Sequence, residues 1–282
     1  MTGGDGQPAS FEGATEAAIA AYAADGVVCL RQVFARRWID LALAGLRRNL
    51  ARPGRFFRDH TRPGAEGRYL FEFWSWPETP EFRDLIFDSP AGELAGRLLG
   101  ARETRLVMDN WFLREAGAVD AAPWHHDEPY FDFHGPLCIL WLPLEAASAH
   151  EGLTFVAGSH RSGHLFAIPQ FSDSVPFTCE GPGYAPLPAI DAAPERHRLL
   201  KWDVQVGDCL VFDFRTLHAA TARGQALTRT LHRMTLRFGS EAVRFRPRGT
   251  WTREISDHLM AQGQAVDAPL DTPLTPKVWS RS

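Results

Sequence analysis

Cysteine is scarce in this chain. Cys29, Cys138, Cys179 and Cys209 lie far apart among 282 residues, with no CxxC pair, so nothing indicates a disulfide framework. No apolar run approaches the ~20 residues that a membrane span needs, because Arg, Asp or Gly breaks even the richest segments. No secretory hydrophobic segment stands at the N-terminus, and the expected setting is a reduced cytoplasm. Basic charge is not in excess either. The 30 Lys and Arg against 34 Asp and Glu give a formal net charge of −4, spread along the chain without a basic stripe, which argues against a nucleic-acid partner. No internal repeat, charge block or composition boundary divides the sequence.

What is present suits a globular enzyme. Hydrophobic residues make up 45% and aromatics 11%, enough for a substantial core. Residues 1–12 are Gly-rich and polar and are expected to be flexible; 13–282 read as one domain. Helical spacing marks "ATEAAIAAYAADG", ended by Gly26, and "RRWIDLALAGLRRNLARPG", with Ile39, Leu43, Leu46 and Leu50 on one face and Pro53-Gly54 as its stop. A further helix, "SPAGELAGRLLG", starts with Ser89 as N-cap and Pro90 at the first helical position. "VVCLRQVF" reads as a strand. Beyond Arg105 come short strand-like runs between Gly, Pro, Asp and Ser clusters: "TRLVMDNWFLRE", "LCILWLPLE", "GLTFVAG", "HRLLKWDVQ", "DCLVFDF", "HRMTLRF" and "AVRFRPR". Helices followed by such a series predict an antiparallel barrel or sandwich. Gln170–Pro194, rich in Pro, Gly and Ala, is a candidate active-site loop.

The chemistry concentrates in "PWHHDEPYF". Pro123 and Pro129 disfavour a helix across it, and an extended segment is expected. Alternation then puts His125 and Asp127 on one face and His126 and Glu128 on the other. A His-x-Asp pair supplies two members of a 2-His-1-carboxylate facial triad, which suits non-haem Fe(II) and leaves other coordination positions open. His218, just after the strand-like "DCLVFDF", can complete it. Two neutral imidazoles and one carboxylate carry one negative charge, leaving the iron able to take an anionic co-substrate. A lone HxD is a weak signal, and His60, His134, His150, His164, His197, His232 and His258 are read as structural.

Four blocks in order, "APWHHDEPYF", "LCILWLPLEAASAHEGLTFVAGSHRSG", "LLKWDVQVGDCLVFDFRTLHAATA" and "MTLRF", resemble the phytanoyl-CoA dioxygenase family of Fe(II)- and 2-oxoglutarate-dependent oxygenases, from about Thr15 to the C-terminal "VWSR". The resemblance implies a double-stranded β-helix, a cupin-like jelly roll with flanking helices. It implies His125, Asp127 and His218 as iron ligands, with Asn110 and Trp141 at the 2-oxoglutarate pocket. An arginine should pair with the far carboxylate of 2-oxoglutarate; the family's spacing favours Arg229, and alignment on the final strand allows Arg233. Ala220 stands where some relatives carry a serine that touches the co-substrate.

The implied reaction consumes O2 and 2-oxoglutarate, releases succinate and CO2, and oxidises a C–H bond of a small molecule. Related halogenases have a small residue in place of the carboxylate, so Asp127 favours hydroxylation or a related oxidation such as desaturation. Among the aromatics Phe71, Phe73, Trp74, Trp76, Trp111, Tyr130 and Phe131, the set Trp74, Trp76, Trp111 and Phe131 is the candidate substrate wall, against the alternative that they are core. His126 and Glu128 are expected to orient the loop or meet solvent. His160 and Arg161 are expected to shape a turn, with an arginine near the mouth able to hold an acidic substrate. Two other classes compete: a non-catalytic metal-binding jelly roll acting as a sensor, and a phosphohydrolase with an adjacent His126-Asp127 dyad in an all-helical domain.

Overall fold

Four helices build one side of the molecule, each begun and ended by local chemistry. In the computed structural model, which describes residues 13–167 and 183–281, α1 (Glu16–Asp25) starts at Thr15, whose side-chain oxygen accepts from Ala18 N, and stops at Gly26 in the left-handed conformation (φ 74°). The second helix, α2 (Arg36–Ala51), buries Ile39, Ala42, Gly45, Leu46 and Asn49, while Leu43 and Leu50 are only partly buried. Its inward face is therefore rotated slightly from the one expected, with Gly45 and Asn49 serving as inward positions. Complete burial of a side chain such as Ile39 or Leu46 stabilises by roughly 1.5–3 kcal/mol. Two short helices follow, α3 (Pro80–Asp88) and α4 (Ala91–Leu99). Ser89 Oγ accepts from Ala91 N, one residue past the expected start, and Gly100 ends α4 at φ 62°.

The strands are β1 (Val27–Leu30), β2 (Phe57–Asp59), β3 (Tyr69–Phe73), β4 (Glu103–Arg114), β5 (Phe133–His134), β6 (Leu137–Pro143), β7 (Leu153–Val156) and β8 (Leu165–Phe166). They continue as β9 (Tyr184–Ala185), β10 (Leu199–Leu200), β11 (Cys209–Asp213), β12 (His218–Ala220), β13 (Leu231–Ser240), β14 (Arg244–Phe245) and β15 (Lys277–Ser280), with α5 (Arg253–Ala261) before the last. The larger sheet runs β1-β11-β6-β13-β4-β3-β2, and the smaller β10-β7-β12. Twelve-residue β4 pairs β13 along one edge and is long enough to take two partners on the other, β15 near its start and β3 near its end. This is the mainly β, double-stranded β-helix with N-terminal helices that the sequence predicted. It excludes the all-helical phosphohydrolase domain.

Alternation along the large sheet separates two layers. Cys138, Leu140 and Leu142 of β6 and Met234, Leu236 and Phe238 of β13 pack with the helices. On the opposite face, Ile139 and Trp141 of β6 and Phe212 of β11 meet Phe155 from the small sheet. Both faces of β6 and β11 are covered, which is why these two strands read as nearly continuous apolar runs.

Some expected elements are shorter. "HRLLKWDVQ" contributes only Leu199–Leu200 and "AVRFRPR" only Arg244–Phe245. Residues 1–12 and 168–182 lie outside the described residues, and the latter take in the first part of the Gln170–Pro194 loop region, with Cys179. The remainder of that region pairs Tyr184–Ala185 with Leu165–Phe166 in parallel. No helix among the described residues is long and apolar enough to cross a membrane.

Candidate active site

His125 and His218 are cross-strand neighbours. Each donates its backbone N–H to the other's carbonyl, at 3.0 and 2.8 Å. The strand carrying His218 is fixed by Ser159, whose hydroxyl donates to Val156 O at 2.7 Å and accepts from Leu217 N at 2.9 Å. Thus the "GSHR" stretch does shape a turn, with Ser159 making these contacts, while His160 and Arg161 do not line the cavity described below.

Each of the two imidazoles is oriented by a carbonyl. His125 Nδ1 lies 2.7 Å from Pro123 O and His218 Nδ1 lies 2.9 Å from Thr216 O. A carbonyl only accepts, so Nδ1 carries the proton and the Nε2 lone pair is the coordinating one. Both Nε2 atoms approach Asp127 Oδ1, at 3.4 and 3.6 Å. The candidate ligand atoms of His125, Asp127 and His218 all lie within 4.8 Å of one another, and all three residues are buried.

Charge and burial keep Asp127 and His218 in the protonation states that bind a metal. Burial alone would raise the Asp127 carboxyl, but the Arg237 guanidinium, with the two histidines, holds it well below the ordinary range. Burial, then the neighbouring His125, pushes His218 down to about 3, so its ring is neutral near pH 7. Arg237 donates from Nε and Nη2 to Asp127 Oδ2, at 3.0 and 2.8 Å. Sequence reasoning does not single it out, although it shares strand parity with Arg233 and lies four positions after it.

The segment around the HxD bends more sharply than expected. Asp127 has helical angles (φ −73°, ψ −29°), and Glu128–Tyr130 form a 3-10 turn that accommodates Pro129 near its start, where proline's missing N–H costs nothing. His125 and Asp127 still converge, and their neighbours turn elsewhere. His126 is fully buried and its Nε2 accepts from Phe166 N at 3.0 Å, so it anchors β8 and does not meet solvent. Glu128 pairs with Arg248 at 2.7 Å and Arg215 at 2.9 Å.

The metal-ligand cluster opens into a cavity of about 550 Å³ between the sheets. Strand parity decides its lining: Tyr69, Phe71 and Phe73 from β3, Asn110, Phe112 and Arg114 from β4, and Leu231, Arg233, Thr235 and Arg237 from β13. Trp141, Phe131, Tyr130 and Ala220 also line it. Among the histidines read as structural, His60 lines it.

Three tryptophans assigned to the substrate wall are elsewhere. Trp111 alternates away from Asn110 and Phe112 into the helix-facing core and donates to Asn49 Oδ1 at 2.6 Å. Trp74 donates to Val107 O, and Trp76 packs beneath the helices. Arg229 is also outside the cavity. It precedes β13, is partly exposed, and pairs with Glu151 at 2.8 and 2.9 Å. Arg233 is inside: it stacks over Trp141 at 5.0 Å, bonds Glu145 at 2.6 Å, and leaves a buried Nη2 with no hydrogen-bond partner among the described residues.

A jelly roll with a buried His-x-Asp…His cluster at one end of an intersheet cavity defines the class as a mononuclear non-haem metalloenzyme fold. Residues 22–230 match the family model described as phytanoyl-CoA dioxygenase, and the chain belongs to that family of iron- and 2-oxoglutarate-dependent oxygenases. Solved structures share the fold. The non-haem α-ketoglutarate-dependent carbocyclase SnoK from nogalamycin biosynthesis superposes with a TM-score of 0.74 at 18% identity, covering 97% of this chain and 100% of that one. The epimerase SnoN, in complex with Fe3+, α-ketoglutarate and a nogalamycin compound, gives 0.72 at 21% identity over 97% and 100%. AviO1 from Streptomyces viridochromogenes gives 0.61 at 22% identity over 86% and 100%. Comparison with curated proteins finds no match.

Proposed function

We propose that this oxygenase hydroxylates a C–H bond of an apolar, ring-bearing small molecule, with iron held by His125, Asp127 and His218. The observation that carries the reading is the convergence of two carbonyl-oriented histidines on one oxygen of a carboxylate whose other oxygen is held by Arg237. That donor set fits Fe(II) and occupies one face of it. Iron held there, with 2-oxoglutarate and O2, would supply the oxidant for the C–H bond, with succinate and CO2 as the co-products.

The protein's own part is placement. Arg233 offers its unpartnered Nη2 to the far carboxylate of 2-oxoglutarate, and Trp141, Asn110 and Thr235 line the path between it and the metal ligands. This replaces the spacing-based preference for Arg229. Ala220 lines the cavity but offers no hydroxyl, so it cannot make the contact that a serine makes in some relatives. Phe71, Phe73, Phe112 and Phe131 provide apolar walls that exclude water and fit ring systems. SnoK and SnoN, by their descriptions, act in nogalamycin biosynthesis as a carbocyclase and an epimerase. Their different outcomes on one fold point to the held position of the substrate as one determinant of product. With Asp127 occupying the carboxylate position, chlorination is not expected.

Anaerobic titration with Fe(II) and 2-oxoglutarate tests this by its weak visible charge-transfer band. The band is expected in the native protein and absent from Asp127→Ala; a metal-binding protein that never develops it supports the sensor alternative. Mass spectrometry under labelled O2 then separates outcomes: one oxygen gained supports hydroxylation, whereas loss of two hydrogens, unchanged mass or chlorine gain overturns it.

A further inference from the structure

The far end of the cavity contains a second cation that the metal site does not use. On β4, Arg114 stands opposite Leu231 of β13 and Tyr69 of β3. Arg237 of β13 grips Asp127, six residues further along that strand from Leu231. At the ordinary strand rise this separates the backbone positions by roughly 20 Å. Arg233 lies between these two ends.

Arg114 lines the cavity, yet its Nε and Nη2 are buried and have no hydrogen-bond partner among the described residues. These atoms form one edge of the guanidinium, with two parallel N–H bonds spaced for a carboxylate. Arg237 uses that same edge on Asp127, and Arg229 uses it on Glu151. In Arg114 the edge is unused. The buried carboxylate nearby in its field, Asp120, is already engaged by Arg62, at 2.8 Å from the side chain and 3.1 Å from the backbone N. The Arg114 guanidinium lies over the Tyr69 ring at 5.9 Å. His60, another cavity residue, also has a buried Nδ1 without a hydrogen-bond partner among the described residues. Unsatisfied buried donors are costly in an empty site, and a ligand acceptor offsets that cost.

We infer that Arg114, assisted by His60 and Tyr69, is the substrate's anion site, and that the substrate is an apolar ring-bearing acid whose carboxylate binds at the cavity end remote from the metal ligands. This deepens the proposed function and rests on Arg233 serving 2-oxoglutarate. The aromatic residues between the two ends hold the ring body, so oxidation falls on a carbon distant from the acid.

The test uses full-length protein and naphthylalkanoic acids of graded chain length, each paired with its primary amide. Binding is read by perturbation of the Fe(II)–2-oxoglutarate band and independently by thermal shift of the metal-free protein. The best acid is expected to bind at least tenfold tighter than its amide. Arg114→Gln should remove that preference and Arg114→Lys retain part of it, with 2-oxoglutarate affinity within twofold of native in both. Equal binding of acids and amides, or no acid binding, overturns the inference. So does loss of 2-oxoglutarate affinity in folded Arg114→Gln, which reassigns Arg114 to the co-substrate. Failure of the band in native protein defeats the oxygenase reading instead, while thermal shift still reports on the acid preference. If Arg114→Gln does not fold, Arg114→Lys decides, and an unchanged acid preference there overturns the two-pronged contact.

Discussion

Arg237 holds Asp127 by one oxygen, with Nε and Nη2 at 3.0 and 2.8 Å from Oδ2, while Oδ1 is the oxygen near the histidine nitrogens. A ligand carboxylate fixed in this way needs no reorientation to receive a metal, and contacts of this kind are typically worth 10–100-fold in metal affinity. Arg237→Met is expected to weaken Fe(II) or Co(II) binding by about that factor, measured by anaerobic titration. Unchanged affinity would show that Asp127 keeps its orientation without the guanidinium.

Arg233 and Arg229 differ in what already occupies them. Arg229 spends its fork on Glu151, whereas Arg233 keeps a buried nitrogen unpartnered in the cavity. Arg233→Ala should raise the 2-oxoglutarate dissociation constant at least about tenfold, as expected for losing a charge-assisted contact, and Arg229→Ala should change it less than about threefold. Calorimetry or the visible band ranks them, and the opposite order places the co-substrate carboxylate elsewhere.

Trp111 tests the division between core and cavity. Its indole donates to Asn49 inside the helix-facing core. Trp111→Phe is expected to cost about 1–3 kcal/mol by stranding the Asn49 oxygen, seen as a lower Tm, while 2-oxoglutarate affinity stays unchanged. Altered affinity at native stability would return Trp111 to the cavity wall.

Asp109 gives the fold a pH dependence. It is fully buried, and burial raises its carboxyl to about 7 despite the hydrogen bond from Ser75 at 2.8 Å. Because the folded value lies above the unfolded one, the folded state binds the extra proton. Stability is fully present below about pH 4 and is lost as pH rises towards and through 7. Asp109→Asn should remove this dependence and gain on the order of a few kcal/mol at pH 8 relative to native protein. Denaturant melts at pH 5 and pH 8 check it; a native protein equally stable at both, after correction by the variant, refutes the buried-acid account.

The strand-rich second half, the helical first half and the HxD with its distant histidine were legible because each has a local cause. Alternation, capping residues and proline placement act within a few positions. The sequence does not mark the short α3 and α5, and β3 stands out in it only as an aromatic stretch. In "YLFEFW", Leu70 and Trp74 are buried among apolar neighbours while Phe71 and Phe73 line the cavity. With aromatic or aliphatic residues on both parities, the sequence cannot indicate which face is the cavity.

By itself the sequence picked out the candidate ligand set, His125, Asp127 and His218, and the class of chemistry, because residue type and context specify both. Tertiary structure decided which arginines face the cavity. Arg229 lies before the strand begins and finds Glu151; Arg233 and Arg237 project into the cavity, and Arg114 reaches it from the neighbouring strand. A side chain's charge is a property of its residue, but whether that charge is already neutralised depends on partners brought close by strand register and sheet pairing.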